Sequence, residues 1–241
     1  MRSSRSRQAE LERLAALPCA HRGLHGPGVL ENSRAAFDAA IARGYGIELD
    51  VQASRDGEAF VFHDYRLERL SHGEGDVAAR TAAELQRIRL RTGGETIPSL
   101  PEVLALIGGR VPLLIEVKAP DRRVAPICLA VFRALAGYRG PVGVMSFNPE
   151  VARWFASLSP KTPRGLVVTE SGRRRIRGAL ERRWSLWRAK PDFLAYDIRD
   201  LPSRFPARQR RRGLLVFTWT VRSEADRARA ARHADQIIFE T

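Results

Sequence analysis

Short apolar runs alternate with helix-like segments along the whole chain. The runs are apolar at successive positions, which is typical of strands buried on both faces of a sheet. They occupy residues 18–23, 46–52, 112–119, 141–147, 164–170, 192–198, 214–221 and 235–240. Between them, Ser33 is placed to cap a helix that Gly44 ends. Thr81 and Glu84 have the spacing of a capping box. This alternation predicts parallel β-α units.

The number of runs distinguishes between two α/β architectures. Residues 60–64 are predicted to return beside residues 46–52 across the turn at 55–57, which leaves eight main strands. Eight β-α units in 241 residues fit a single TIM (β/α)8 barrel. An open doubly wound sheet is the alternative, but the glycines of HRGLHGPG lack the spacing of a dinucleotide-binding fingerprint. We therefore expect a basic N-terminal extension or helix at 1–17 and a barrel domain at 18–241.

The chain carries a formal net charge of +14, almost all of it from arginine. This charge favours an anionic partner such as a phosphate substrate, a membrane surface or nucleic acid, although a bias in genome composition gives the same excess. No recognition motif accompanies it, so we expect no nucleic-acid partner. Cys19 and Cys128 have no partners at metal-ligand spacing, and Glu10, Glu12 and Arg13 interrupt the apolar stretch that a secretory signal requires. We therefore expect a cytoplasmic protein.

Polar residues stand near the C-terminal ends of the predicted strands, where a TIM barrel has its active site. They are His21, Arg22, Glu48, Asp50, His63, Glu116, Lys118, Ser146 and Trp219. Residues two positions apart share a strand face, which places Glu48 beside Asp50. Converging carboxylates repel one another, and oxygen ligands alone favour Mg²⁺ or Ca²⁺ over zinc as the compensating cation. A Glu-x-Asp pair or a lone histidine is more often structural. Their coincidence at one end of the strands favours a metal-dependent active site.

Several motifs occur in the order and near the spacing of one known family. They are AHRG (20–23), LENSRAAFDAAIARG (30–44), IELDVQASRDGEAFVFHD (47–64), LERLSHGEGDV (67–77), TAAELQRIRL (81–90), IPSLPEVLALIGG (97–109), LLIEVK (113–118), SFNPE (146–150) and FTWTV (217–221). With these motifs, which cover most of its length, the chain resembles the glycerophosphodiester phosphodiesterases. The resemblance implies a TIM barrel, here without the large insertion that some relatives carry after the second strand.

The resemblance also implies metal-dependent hydrolysis of glycerophosphodiesters to an alcohol and sn-glycerol 3-phosphate. By motif, it implies that Glu48, Asp50 and Glu116 bind one divalent cation, Mg²⁺ or Ca²⁺. It implies acid–base catalysis by His21 and His63. Arg22 and Lys118 would contact the phosphate, and Trp219 would form an apolar wall beside the substrate. The nucleophile is either water or a neighbouring glycerol hydroxyl. Where the family commonly has asparagine after Trp-Thr-Val, this chain has Arg222, which can alter substrate contacts. Two alternatives stay open: a lysophospholipase D-type phosphodiesterase at the membrane surface, and a non-catalytic barrel that binds anions or membranes.

The arginine-rich segment 171–190 carries an apolar stripe. Ile176, Leu180, Trp184 and Trp187 recur at helical spacing, with arginines around them. One interpretation is a barrel helix whose stripe packs on the sheet. The other is a helix at an anionic membrane surface, with tryptophan at the interface and arginine on lipid phosphates.

Overall fold

Eight parallel strands close into a ring. The computed structural model of the protein describes residues 5–172 and 176–241. Its strands are β1 (Cys19–His21), β2 (Gly46–Ala53), β3 (Ala59–Val61), β4 (Leu113–Val117), β5 (Val142–Ser146), β6 (Arg164–Val168), β7 (Phe193–Asp197), β8 (Leu215–Val221) and β9 (Gln236–Phe239). The order runs β1-β9-β8-β7-β6-β5-β4-β2, and the pairing of β1 with β2 closes the ring. Because the ring has no free edge, the predicted TIM barrel is confirmed and the open sheet is excluded.

The short strand β3 is the predicted return of the chain beside β2. It pairs antiparallel with β2, with Val51 opposite Val61, and stands outside the ring of parallel strands. The loop that follows carries its own small core, in which Phe60, Phe62 and Leu67 are buried. No large insertion interrupts the chain between β2 and β4, as the sequence predicts.

Helices connect the strands and surround the ring. Within the described ranges they are α1 (Arg5–Leu14), α2 (Arg34–Ala42), α3 (Ala82–Leu85), α4 (Leu100–Ile107), α5 (Ala125–Ala134), α6 (Pro149–Leu158), α7 (Ile176–Ala189), α8 (Arg204–Arg210) and α9 (Glu224–His233). The predicted caps are confirmed: the Ser33 hydroxyl accepts from the Ala36 N–H, and Thr81 and Glu84 form a capping box. None of these helices is long and apolar enough to cross a membrane.

Side-chain alternation along the strands separates the core from the site. On β2, Ile47, Leu49 and Val51 point outward and pack in the main core beneath the helices. Glu48 and Asp50 point to the opposite face, into the ring, because successive strand residues alternate sides. The same alternation on β4 gives the sheet an apolar outer face while its inner face carries acids near the C-terminal end.

Helix α1 fills the barrel at the N-terminal ends of its strands. Leu11 and Leu14 are buried in one cluster with Cys19, Leu114 and Phe193. A glycine on β5 makes this approach possible, because a Cβ atom added at residue 143 would lie 2.6 Å from Leu14 Cδ2. The domain boundary at residue 17 remains a prediction, but the helix before it contributes side chains to the barrel interior.

The apolar stripe of α7 faces away from the barrel. Ile176, Leu180, Trp184 and Trp187 are 80%, 60%, 46% and 65% exposed. Of the two interpretations of this stripe, the one in which it packs on the sheet is therefore wrong. The barrel side of the helix has small buried residues at 178 and 189, and the half-buried Leu186 packs against the main core. The small side chains let the helix backbone approach the barrel closely. The three arginines at 173–175 lie outside the described residues.

Truncating Leu14, the side chain through which α1 packs inside the barrel, should destabilise the whole barrel. The Leu14→Ala variant leaves a cavity where a fully buried side chain fills the barrel, so we expect the free energy of unfolding to fall by about 2–5 kcal/mol. Leu158→Ala is the control, because this leucine is 59% exposed at the end of α6; its effect should stay within about 0.5 kcal/mol. Denaturant unfolding measures both, and equal small effects would show that α1 does not anchor the barrel.

Candidate active site

Three buried carboxylates meet inside the ring at the C-terminal ends of β2 and β4. Asp50 and Glu116 are register partners across the two strands, and Glu48 lies two positions before Asp50 on the same inward face. Each offers an oxygen within 4.8 Å of the other two. Their exposed fractions are only 1%, 1% and 8% for Glu48, Asp50 and Glu116. Uncompensated charge at this depth is costly, so positive groups must lie close by.

Lys118 and Arg22 supply the nearest positive charge. Lys118 Nζ lies 2.8 Å from Asp50 Oδ1 and 2.6 Å from Glu116 Oε1. Arg22 Nε lies 3.2 Å from Asp50 Oδ2, and the Arg22 backbone N–H donates to Glu48 Oε2. Burial alone would raise the pKa of Asp50, but Lys118 and Arg22 outweigh it and lower that pKa. Burial would likewise lower the pKa of Lys118, and the two carboxylates raise it instead. The lysine and Asp50 are therefore both charged.

The remaining imbalance of charge fits a divalent cation. Burial and the neighbouring Asp50 raise the pKa of Glu48 well above its usual range, because the two cations do not offset all three acids. Arg22 also forms an ion pair with a further carboxylate outside the cluster, since its Nη1 lies 2.7 Å from Glu31 Oε1. A set of carboxylate oxygens is the donor chemistry of Mg²⁺ or Ca²⁺. Glu48, Asp50 and Glu116 together can hold such an ion.

Asn32 orients the central carboxylate, and sequence reasoning missed it. Its Nδ2 donates to Asp50 Oδ2 at 2.9 Å, and its side-chain oxygen accepts from the Asp50 N–H at 3.3 Å. The side chain is buried, and the backbone has φ +55°. Asparagine is one of the few residues that tolerate this left-handed conformation. That tolerance was the only local signal, and it does not indicate contact with a residue 18 positions later.

His21 ends β1 between two carboxylates. Its Nδ1 donates to Glu240 Oε1 at 2.5 Å, while its Nε2 lies 3.9 Å from Glu48 Oε2. Burial would lower the pKa of His21, but Glu240 and Glu48 raise it above the usual value. The hydrogen bond from His21 in turn lowers the pKa of Glu240 to about 2. The sequence analysis did not identify Glu240, because this residue follows the last strand, far from every recognised motif.

His63 follows β3 and has a carboxylate partner next to it in sequence. Its Nδ1 donates to Asp64 Oδ1 at 2.6 Å. Arg69 fixes that carboxylate, with Nε 2.5 Å from Asp64 Oδ2, and also reaches Glu31 Oε1 at 2.8 Å. Because Glu31 pairs with Arg22 as well, one chain of ion pairs joins the loop of His63 to the loop of His21.

One cavity of about 440 Å³ brings the predicted residues together. Seven of the eight line it, namely His21, Arg22, His63, Glu48, Glu116, Lys118 and Trp219. The eighth, Asp50, is buried beneath them. Trp219 forms part of the wall, where its Nε1 donates to the Ala195 carbonyl and its ring meets Phe147 edge-on at 5.6 Å. The cavity therefore combines an acidic floor, four cationic side chains (Arg22, Lys118, Arg199 and Arg222), two histidines and an aromatic wall.

Comparison with known sequences agrees with this combination. A model of the glycerophosphoryl diester phosphodiesterase family matches residues 21–238. The protein YhdW of Bacillus subtilis (strain 168) is 30% identical over 220 residues, which are 87% of this chain and 88% of that protein. The glycerophosphodiester phosphodiesterase of Caldanaerobacter subterraneus subsp. tengcongensis is 35% identical over 161 residues, covering 63% of this chain and 66% of that protein.

Solved structures share the fold. A phosphodiesterase from Oleispira antarctica, in complex with the product sn-glycerol-3-phosphate, matches with a TM-score of 0.81 at 24% identity, over 93% of each chain. Glycerophosphodiester phosphodiesterase from Thermotoga maritima matches with a TM-score of 0.73 at 25% identity, over 92% of this chain and 94% of that one. These likenesses show the same fold over 92–93% of the chain.

The fold, the acidic cluster and the sequence matches together define a class, the phosphoric diester hydrolases built on a TIM barrel. Within that class the chain belongs to the glycerophosphoryl diester phosphodiesterase family. The family resemblance read from the sequence is therefore confirmed. The family uses a divalent metal, and the Glu48, Asp50 and Glu116 cluster is the candidate site for it.

The carboxylate cluster should bind one divalent ion. Calorimetric titration of metal-free protein with Mg²⁺ and with Ca²⁺ should give one saturable site for at least one of them. Glu116→Gln removes one ligand charge and should weaken that site on the order of tenfold, since charge count sets affinity in oxygen sites. Glu74→Gln, an exposed glutamate away from the cavity, is the control. No saturable heat with either ion would contradict the assignment.

Proposed function

We propose that the protein hydrolyses glycerophosphodiesters to an alcohol and sn-glycerol 3-phosphate in a metal-dependent reaction. Glu48, Asp50 and Glu116 hold one divalent cation, Mg²⁺ or Ca²⁺. His21 and His63 transfer the protons. The observation that carries the proposal is that both histidines share one cavity with the carboxylate cluster. The product in the Oleispira antarctica structure supports the choice of the glycerol 3-phosphate half.

The cations of the cavity suit a phosphodiester anion. Such a substrate repels an incoming nucleophile, and a bound divalent ion supplies positive charge opposite the phosphate oxygens. Arg22 adds a planar guanidinium group, whose Nε lies 3.2 Å from Asp50 Oδ2 without forming a hydrogen bond to any of residues 5–172 and 176–241. Lys118 adds a second positive charge beside Glu116. Trp219, fixed through its Nε1, gives the substrate an apolar wall.

The histidines have the geometry of a proton-transfer pair. Each uses Nδ1 for a carboxylate, His21 for Glu240 and His63 for Asp64, so Nε2 is the free nitrogen on both rings. One Nε2 takes the proton of the nucleophile, and the other gives a proton to the leaving alkoxide. The nucleophile is water or the neighbouring glycerol hydroxyl, and both routes need the same two transfers.

The surroundings of the two thiols support a reducing, cytoplasmic location for this activity. Cys19 and Cys128 are both buried and free. Burial raises the pKa of the Cys128 thiol to about 12, which suppresses the reactive thiolate. The partner that the proposal requires is a small phosphodiester, and nucleic acid has no part in it.

Turnover should depend on both histidines and on the metal. Purified protein should hydrolyse at least one member of a panel of glycerophosphodiesters and lysophospholipids. Excess chelator should abolish activity, and Mg²⁺ or Ca²⁺ should restore it. His21→Ala and His63→Ala should each lower kcat by about 10²-fold or more, the usual scale for losing a general acid or base.

His72→Ala is the matched control, because His72 is exposed and does not line the cavity. It should keep the wild-type rate. Full turnover in excess chelator, or a wild-type rate for either cavity variant, would reject the corresponding role. Binding of ligands without turnover of any diester would favour the non-catalytic barrel instead.

A lysophospholipase D-type activity at a membrane surface is the second candidate, and the exposed stripe of α7 favours it. The helix follows β6, so its first turns, with Ile176 and Leu180, lie at the C-terminal barrel end where the cavity opens, and its later turns lead away from that end. Trp184 and Trp187 are exposed, and so are Arg177 and Arg183 on the same helix. Tryptophan at the interface with arginine on lipid phosphates is the chemistry of helices bound to anionic membranes.

Neutralising α7 should weaken binding to anionic vesicles. Each basic residue near such a surface contributes about 1 kcal/mol, so Arg177→Gln with Arg183→Gln should lower the partition constant roughly 30-fold. Arg208→Gln with Arg212→Gln makes the same charge change on and after α8, and should have little effect. Vesicle sedimentation compares the two pairs of substitutions at low and high salt. Turnover of a small soluble diester should be the same in both variants. Equal sedimentation of the two variants would reject α7 as the membrane contact.

A further inference from the structure

Both cavity histidines have the same three-part arrangement. Each ring gives its Nδ1–H to a carboxylate, and an arginine binds that carboxylate from the other side. For His63 the partners are Asp64 and Arg69, which the chain brings together within seven residues. For His21 the carboxylate is Glu240, which only the closure of the barrel brings to β1.

The geometry around Glu240 is tight. Its Oε1 lies 2.5 Å from His21 Nδ1, and its Oε2 lies 2.6 Å from Arg222 Nε. Arg222 Nη2 also donates to Oε1 at 3.0 Å, so the arginine engages both oxygens. The Glu240 backbone N–H donates to the Val221 carbonyl at 3.0 Å, which places the carboxylate next to the end of β8.

We propose that Glu240 is a positioning residue for His21 and that Arg222 holds Glu240 in place. The carboxylate fixes the ring with its proton on Nδ1 and its Nε2 toward the cavity. This inference rests on the proposed function for its effect on turnover. It also gives Arg222 a role through Glu240.

The need for such a residue follows from the surroundings of the ring. His21 lies between Glu240 on one side and Glu48 on the other, with Nε2 3.9 Å from Glu48 Oε2. Glu48 also attracts a ring N–H, so Glu48 alone would favour the opposite tautomer. The shorter hydrogen bond to Glu240 decides between the two, because the hydrogen bond at one ring nitrogen sets which nitrogen carries the proton.

The arginine contributes orientation more than stability. Its side chain is 60% exposed, whereas those of Glu240 and His21 are 20% and 12% exposed. Exposed ion pairs add little to folding stability. An arginine that binds both carboxylate oxygens does, however, limit how the carboxylate can rotate. Removing it should therefore change the histidine more than the fold.

The test is the isosteric variant Glu240→Gln, read by turnover and by the His21 ring. The amide keeps only one acceptor oxygen, and its NH2 group, which can only donate, then faces a donor of either His21 or Arg222. We expect kcat to fall about 10- to 100-fold, the usual effect of losing the partner that orients a histidine, while KM stays nearly unchanged. Arg222→Gln should give a smaller loss of kcat, and Arg232→Gln, an exposed arginine on α9, should give none.

Ring ¹⁵N spectra with the imidazole neutral provide a readout that needs no activity. Wild type should carry the proton on Nδ1 of His21, and Glu240→Gln should shift the ring toward the Nε2–H tautomer. Arg222→Gln, which leaves the carboxylate, should show a partial shift. An unchanged tautomer in both variants would overturn the proposal, as would a wild-type kcat for Glu240→Gln.

The two proposals fail separately. If wild type turns over no diester but Glu240→Gln still moves the tautomer, the proposed function falls and the positioning role stands. If wild type is active and Glu240→Gln changes only KM, the positioning role falls and the proposed function stands. If Glu240→Gln does not fold, the spectrum and kcat of Arg222→Gln decide, because that substitution alters an exposed side chain.

Discussion

The balance of charge around Asp50 is the constraint on which the active-site end of the barrel depends. A carboxylate that is 1% exposed is tolerated only with close partners, and Asp50 has three of them in Lys118, Arg22 and Asn32. Arg22 and Asn32 come from the loop after β1 and Lys118 from the loop after β4, so the requirement of one acid fixes these two loops together. Glu48 and Glu116 then add charge beyond what these partners offset, and this excess makes the floor of the cavity suitable for a divalent cation.

The same charges connect the two histidines. Arg22 binds Glu31, Glu31 binds Arg69, and Arg69 binds the Asp64 carboxylate that orients His63. The loops after β1 and β3 are therefore joined by ion pairs as well as by packing. Such a network limits how far one histidine can move relative to the other, and the proposed proton transfers require that restriction.

The outer surface of the barrel carries an exposed apolar stripe on α7. Along α7 the barrel contacts small buried residues and Leu186, whereas the four large apolar side chains of the stripe remain in solvent. An exposed stripe of tryptophan, leucine and isoleucine beside arginine is unfavourable in water unless it meets a partner. The first turns of α7 lie at the end of the barrel where the cavity opens, whereas Trp184 and Trp187 lie in its later turns, toward the other end.

The sequence by itself determined the barrel and most of the site. Eight apolar runs alternating with capped helices were enough for the fold, because strand burial and helix capping are local properties. The motifs containing His21, Glu48, His63 and Glu116 identified the cavity residues through their resemblance to one family. The sequence also placed Glu48 and Asp50 on one face of β2, opposite the apolar residues that pack in the core, since side chains alternate between the faces of a strand with a fixed period.

Only the tertiary structure decided which distant groups meet. Nothing near Asn32 indicates Asp50, and nothing near Glu240 indicates His21, because these contacts form when β1 lies between β2 and β9. The direction of the α7 stripe was undecided for a similar reason. Helical periodicity shows that Trp184 and Trp187 share a face, but the face that packs is chosen by the fit of the helix against the barrel, where small residues allow the closest approach.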